Sequence, residues 1–443
     1  MNRPTFFFTG SALALIFMIT FLFPPPPTHS QGIDVYVNVT GGGAKKLGIA
    51  VPTFSVAGQD QEGMARRLPE IIGRDLTFSA LFSVVTGAPP LPANDPAGLK
   101  KALADFAGAG AHAALQGLLT LKGDQLDVEA RLYDLTSPDQ RLIATTKWSQ
   151  KVSDHRRLAH RVADDVIFQF TGERGVADTK IAYVAKSGGA KEISMVDYDG
   201  ESLLRLTSTQ STNLMPAWSP DTRSIAFTSY MRGYPYLYRI TPFERRQIQL
   251  LAGFPGINSS PAWSPDGKSL LFTLSKDGNA ELYLLQLSTG NVRRLTTHSG
   301  IDTDPSWSPT GREIAFVSDR AGSAQVHVMD AEGANIRRLT YEGGYNTQPR
   351  WSPKGNLIVY TSRQGHFDIW AINADGSSPR RLTSGQGNNQ SPSWAPNGRH
   401  IIFASDRNGR WQLFTMLADG SEQAALTKGL EEATSPSWSG RLP

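Results

Sequence analysis

"SPAWSPDGKSLLFT", residues 260–273, sets a proline, an aromatic, a tight turn and an apolar strand in close succession. The chain writes nearly the same stretch six times. Its tryptophan recurs at Trp218, Trp263, Trp307, Trp351, Trp394 and Trp438, at intervals of 45, 44, 44, 43 and 44 residues. Repeats of about 20–50 residues mark solenoids, propellers or arrays.

Each unit carries the same parts in order. P-x-W leads into Ser-Pro and a turn such as "SPDGK" (264–268), where proline presets φ and Asp and Gly suit the later positions. An apolar strand follows: "IAFT" 225–228, "LLFT" 270–273, "IAFV" 314–317, "IVYT" 358–361, "IIFA" 401–404. After a polar hairpin turn such as "SDRAG" (318–322) comes a third strand, then a second turn and a short strand bearing "RLT". Four short strands with no helical period between them predict one antiparallel sheet per unit. The second strand is apolar on both faces and must be covered on both. A radial stack of blades does that, and the turn chemistry and repeat length fit a propeller better than a flat solenoid. Each motif aromatic buries ~150–250 Å² between blades, on the order of 4–6 kcal/mol before entropy, so the six tryptophans read as structural.

The two ends of the array show how the ring shuts. Forty-four residues before Trp218 stands Arg174, yet the strand "IAYV" (181–184) lies 44 residues before "IAFT" at 225. The first unit lacks a P-x-W strand, and the last has little beyond Trp438. The expectation is that "SPSWSG" (435–440) joins the strands of 181–207 in one blade. Six blades result, and the pairing removes exposed sheet edges.

Of the 443 residues, 44 are Lys or Arg and 40 Asp or Glu, for a net charge of +4. No block of five basic residues occurs, so no nucleic-acid partner is expected. "MNRPTFFFTGSALALIFMITFLFPPPPTHS" (1–30) reads as a signal peptide: Arg3, an apolar run from Phe6 to Phe23, a proline break and small residues before a cut. An uncleaved anchor is the competing reading. No other stretch approaches 18 apolar residues, so no membrane span is expected after cleavage. The absence of cysteine removes disulfides, thiolate ligands, a catalytic thiol and a lipid-modified cysteine.

Residues 31–175 predict an α/β domain, and 176–443 the propeller. Strands are expected at "IDVYVNV", "KLGIAVPTF" and "LFSVV", and at about 112–121, 124–135 and 141–148. Helices are expected over 62–80, perturbed at Pro69; from an Asp95 cap with Pro96 just inside; and over 154–172.

Signals for chemistry are absent. There is no G-x-S-x-G elbow and no hydrolase domain after the propeller, and none of the eight histidines forms H-x-H or H-E-x-x-H. No catalytic residue, metal ligand or cofactor is expected. An ion held by Asp302, Asp304 and neighbouring asparagines is only weakly signalled. The rival is a propeller hydrolase or lyase acting on a periplasmic peptide or saccharide, its carboxylates meeting only in three dimensions.

Binding has more support. The segments entering each P-x-W strand, "TNLMP", "GINSSP", "GIDTDP", "GYNTQP", "GNNQSP" and "EATSP", converge on one mouth of the channel. They mix Asn, Asp, Thr and Gln, including Asn346 and Asn389, with Leu214, Met215, Ile257, Ile301 and Tyr345. Such a ring suits a protein loop. The competing role for its polar members is satisfying turn backbones.

The α/β segment with "IGRDLTFSALFSVV", the join "RGVADTKIAYVAK" and the six "WSPDG"-type repeats together resemble the TolB family, the periplasmic propellers of the bacterial Tol–Pal system. The resemblance runs through the whole mature chain. It implies a monomeric, non-catalytic periplasmic adaptor that binds the lipoprotein Pal at the channel mouth and TolA through its N-terminal strand. Outer-membrane integrity and constriction at division are the implied roles, with other outer-membrane lipoproteins and bacteriocins as further partners. The Pal-facing positions would be Leu214, Met215, Ile257, Asn258, Ser260, Asp302 and Thr303. The TolA segment would be about Gly32 to Gly42, with Ile33, Val35, Val37 and Val39 alternating along it. Ile257 and Ser260 depart from the more polar and smaller residues of the family pattern, Arg350 varies the repeat, and "SPTG", "SPKG" and "APNG" vary the turn.

Overall fold

The computed structural model describes residues 46–443, apart from Gln61, Gly87, Lys428 and Leu430. The expected signal peptide and the expected strand carrying Ile33, Val35, Val37 and Val39 lie outside the described residues.

In the first part of the chain, period-2 and period-3.6 patterning place strands and helices close to their expected positions. Strands β1 (Leu47–Val51), β2 (Ser55–Ala57), β3 (Phe82–Thr86), β4 (Ala113–Lys122), β5 (Gln125–Asp134) and β6 (Leu142–Lys151) form one sheet. Its order is β3-β1-β4-β5-β6, with β2 also on β4. β1 runs parallel to β3 and β4, while β4, β5 and β6 form an antiparallel meander. Helices α1 (Met64–Phe78) and α3 (His155–Thr171) pack against this sheet through Leu68, Ile72, Leu158 and Val162. α1 continues through Pro69. The Asp60 carboxylate accepts the Met64 and Ala65 N–H groups at 2.7 and 2.9 Å, satisfying donors that the start of α1 leaves open. Asp95 caps α2 (Pro96–Gly108), accepting from the Gly98 N–H at 3.0 Å.

The rest of the chain is a six-bladed propeller. Five blades are four consecutive strands, for example Asn258–Trp263, Ser269–Leu274, Glu281–Gln286 and Val292–Arg294, with the P-x-W strand innermost. The sixth pairs Glu432–Trp438 antiparallel with Lys180–Ser187, setting Trp438 opposite Ile181. The ring is latched as the register of the repeats requires.

Four of the six blades share a polar clamp that explains their "RLT". Thr296 Oγ1 accepts the Leu282 N–H at 3.0 Å and donates to the buried Glu281 at 2.5 Å. Thr207 with Glu192, Thr340 with Gln325 and Thr383 with Asp368 repeat the arrangement. A buried hydroxyl that both donates and accepts leaves no desolvated polar atom behind. In the "WSPDG" turn, Ser264 Oγ donates to Asp266 and accepts the Ser269 N–H, and Gly267 sits at φ +70°, where a side chain is strained.

Blades are joined through the tryptophans. Trp263 and Trp394 donate their indole N–H to Ala217 O and Arg350 O of the preceding blade, both at 3.0 Å. Trp438 Nε1 donates to Thr179 Oγ1 at 2.8 Å, while Trp307 Nε1 is buried without a partner.

The α/β part docks on the tryptophan end of the propeller through buried polar groups. Asp75 of α1 bonds to His160 of α3 at 2.7 Å and accepts the hydroxyl of the propeller's Tyr198. Burial pushes the Asp75 carboxyl above its usual range; His160 is raised because that carboxylate outweighs its own desolvation. Phe78 stacks on His400, whose Nε2–H donates to Phe78 O at 3.0 Å. Arg157 and Arg161 converge on Asp178 in the join, each at 3.0 Å.

Two predictions follow from this packing. Trp438→Phe loses a made hydrogen bond that Trp307→Phe does not, so it should be the less stable variant by about 1–3 kcal/mol in denaturant melts. The second concerns His400, which burial holds down to about 4 from an ordinary 6.5. Below pH 6.5 the unfolded chain takes a proton that the folded one refuses, so this contribution is complete above 6.5 and disappears as the pH falls to 4. Asp164, raised to about 7 by burial, acts in the opposite sense: its contribution is complete below about pH 4 and lost as the pH rises through 7. The comparison is therefore between proteins and not along one curve. His400→Gln should lose less stability than the parent between pH 7 and 4, by on the order of 3 kcal/mol.

Candidate interaction surface at the channel mouth

The mouth is built from successive tiers of the six inner strands. In each strand the ladder slips between the fourth and first residues before the tryptophan, as between Ser259 and Ala262. Two residues there oppose one, which makes a β-bulge. Its first residue has positive φ in all six blades: Met215, Ser260, Asp304, Gln348, Ser391 and Ser435, at φ 49–55°. None is glycine, and non-glycine residues in this region are uncommon and strained. Its second residue is the proline of P-x-W, placed where the broken ladder asks for no N–H. Sequence patterning did not reveal this tier, because no glycine marks it.

The tier two residues nearer the mouth was the source of the expected polar ring, and here it faces inward. Asn258, Asp302, Asn346 and Asn389 are each 0% exposed. Asn258 Nδ2 donates to Phe254 O at 2.8 Å and Asn346 Nδ2 to Gln325 Oε1 at 2.8 Å. Asn389 bonds to Asp368 and Arg407, and Asp302 pairs with Arg320 at 2.8 Å. Asn346 and Asn389 bond across to the preceding blade, Asp302 and Asn258 fix their own blade and its entering segment, and none of the four is exposed. Among the described residues no group of three or more His, Cys, Asp or Glu is placed to hold a metal ion. Ser260 is 8% exposed and donates to Asp304 at 2.6 Å; Leu214 and Thr303 are half-buried, as is Met215, which lines the channel.

What the mouth exposes is one residue further out, six before each tryptophan. Ile257, Ile301 and Tyr345, on three consecutive blades, are 46–49% exposed. The hairpins joining the second and third strands open on the same end, since Asn213 pairs with Ser229. On the neighbouring blade such a hairpin adds Tyr230 and the more exposed Tyr234, the latter stacked on Tyr236. Tyr345 packs edge-on against Phe367 above a groove of about 360 Å³ that also reaches Thr303 and Gln348. The other two blades offer Asn388 and Glu432, the latter paired with Lys186 at 3.1 Å. The face is therefore an apolar crescent over four blades and a polar arc over two. Ile257, Ile301 and Tyr345 were legible from the entering segments; Tyr230 and Tyr234 belong to a hairpin whose position only strand pairing reveals.

Below the mouth, the channel encloses about 350 Å³ lined by all six inner strands. No helix among the described residues is long and apolar enough to cross a membrane.

Comparison with known proteins agrees with this architecture. A family described as "TolB beta propeller domain" matches residues 168–442, and one described as "TolB amino-terminal domain" matches 35–141. The Tol-Pal system protein TolB of Geobacter sulfurreducens is 41% identical over 215 residues, 48% of each chain. The protein TolB homolog of Chlorobaculum tepidum is 38% identical over 287 residues, 64% of each. The matched segment thus spans about half the length of the first of these relatives. The crystal structure of TolB from Acinetobacter baumannii superposes with a TM-score of 0.78 at 29% identity, covering 89% of this chain and 97% of that one. With a six-bladed propeller closed by its own C-terminal strand and a family match over well over half its length, the chain belongs to the TolB family.

Proposed function

We propose that this protein is a non-catalytic adaptor of a Tol–Pal envelope system, exported to the periplasm of a Gram-negative bacterium. It binds the lipoprotein Pal at the channel mouth and TolA through the segment bearing Ile33, Val35, Val37 and Val39, in support of outer-membrane integrity and constriction. The relatives' names support membership of that system. The observation that carries the binding face is the apolar crescent of Ile257, Ile301 and Tyr345. Apolar and aromatic side chains that a monomer leaves exposed together mark interaction surfaces, and a polar rim beside them is the usual anatomy of such a patch. Of the residues first expected at this interface, the surface-accessible subset is Ile257 with the half-buried Leu214, Met215 and Thr303. The fully buried Asn258, Asp302, Asn346 and Asn389 act by shaping the mouth. The alternation of Ile33, Val35, Val37 and Val39 in the sequence suits capture by strand addition to a partner's sheet.

The test is capture from detergent-solubilised cell envelopes, comparing the protein with Ile257→Glu/Ile301→Glu. The protein should retain an outer-membrane lipoprotein, and the variant should lose it by about 10–100-fold, as expected for charges placed in a binding hot spot. Equal capture by both overturns the assignment of the mouth, and no capture by either overturns the adaptor reading of that face. Removing 33–39 should abolish TolA binding and spare the lipoprotein.

A further inference from the structure

One position before each tryptophan, Ala217, Ala262, Ser306, Arg350, Ser393 and Ser437 form a tier around the channel. Five are small and neutral. The sixth puts a guanidinium into the passage, with Ser306 on the blade before it and Ser393 on the blade after it. Arg350 Nη1 donates to Pro349 O at 2.8 Å. Among the described residues no carboxylate lies within ion-pair distance of this side chain, and its remaining N–H donors have no acceptor. A guanidinium carries five such donors and no acceptor. Burial between the blades lowers its pKa, and only the charge of Asp304 works the other way.

The serines beside it are oriented by the backbone. Ser306 Oγ accepts the Trp351 N–H at 3.0 Å, Ser393 Oγ the Trp438 N–H at 3.1 Å, and Ser437 Oγ the Trp218 N–H at 3.3 Å. An oxygen engaged in accepting still has its own O–H to donate, and none of these three hydroxyls finds a protein acceptor among the described residues. The tier therefore presents several donors without a protein acceptor, while each serine oxygen keeps a second lone pair. Arg350 is half-buried and lines the open channel, so its free donors can be met from that space. An accepting group that enters the channel can meet the guanidinium and the hydroxyls beside it.

We propose that this tier is an anion site that takes one carboxylate, held by the Arg350 guanidinium and the hydroxyls of Ser306 and Ser393. Planar, forked pairing of guanidinium with carboxylate is the strong form of this contact. Asp304, two positions up the adjacent strand toward the mouth and engaged by Ser260, limits the ligand to a single negative charge. The channel's volume of about 350 Å³ leaves room for the group. It arrives either as a free small carboxylate or on an acidic side chain at the tip of a protein loop entering from the mouth. The site's chemistry is the same in both cases and does not depend on the adaptor reading.

The experiment follows line broadening of 13C-formate by the full chain, with acetate and its neutral isostere acetamide as competitors. Saturable broadening, reversed by acetate and not by acetamide, is expected. Arg350→Gln should weaken binding by about tenfold or more, as loss of a charge-assisted bidentate pair does. Ser306→Ala/Ser393→Ala should weaken it less, and Arg350→Lys should fall between. Absence of saturation, equal competition by acetamide, or equal binding by a folded Arg350→Gln overturns the proposal. So does binding by Asp304→Asn where the parent has none, since Asp304 would then be the occupant. If Arg350→Gln does not fold, the acetate–acetamide comparison decides alone. A cyclic hexapeptide with one glutamate at its tip, set beside its glutamine twin, identifies the source. Displacement of formate by the glutamate loop at far lower concentration than acetate supports the site as a receptor for a loop, and equal potency supports it as a site for a free anion.

Discussion

Everything in this molecule depends on a strand pairing between segments at opposite ends of the propeller. Glu432–Trp438 closes on Lys180–Ser187, and without that closure the first blade lacks its inner strand and the array ends in two open edges. Closing so long a loop costs chain entropy that local contacts cannot offset. The compensation is distributed: once the last strand is seated, every apolar second strand is covered on both faces and every inner strand faces the channel. Trp438 sits at the joint, between blades and against Thr179 of the join, so the latch and the docking of the α/β part share residues.

That docking uses a different chemistry. Between blades the contacts are apolar, with a few tryptophan and serine hydrogen bonds across them. Between the α/β part and the propeller the buried contacts include Asp75, His160, Tyr198 and His400. Buried polar groups are costly unless matched, and matching depends on direction. An apolar interface tolerates sliding; this one favours a single orientation. The mouth at the far end of the channel is thereby left uncovered, which the apolar crescent requires if it is to meet another protein.

The inner strands are where repeat and function diverge. The bulge, with its strained residue and its proline, recurs in all six, so it belongs to the architecture. What differs is the side chain that each copy places around it. Ile257, Ile301 and Tyr345 occupy one tier, Asp304 another and Arg350 a third. A symmetric scaffold has become an asymmetric passage by substitution at positions that the fold leaves free.

Much of this was present in the order of the residues. The period of the tryptophans, the doubly apolar second strands and the missing first P-x-W determined the propeller, its six blades and its latch. Alternation and capping located the helices and strands of the α/β part. These features were legible because each rests on spacing along the chain. The site was only partly so. The entering segments lie together at one end of the channel, but sequence could not say which of their residues face outward: Ile257 and Asn258 are neighbours, and one is 46% exposed and the other 0%. In a strand, adjacent side chains point to opposite sides, and the bulge shifts that alternation again. The buried clamps of Asn346 and Asn389, the hairpin tyrosines and the position of Arg350 between two serines were decided by tertiary structure. Each depends on contacts between residues many positions apart or on neighbouring blades, where spacing along the chain carries no direction.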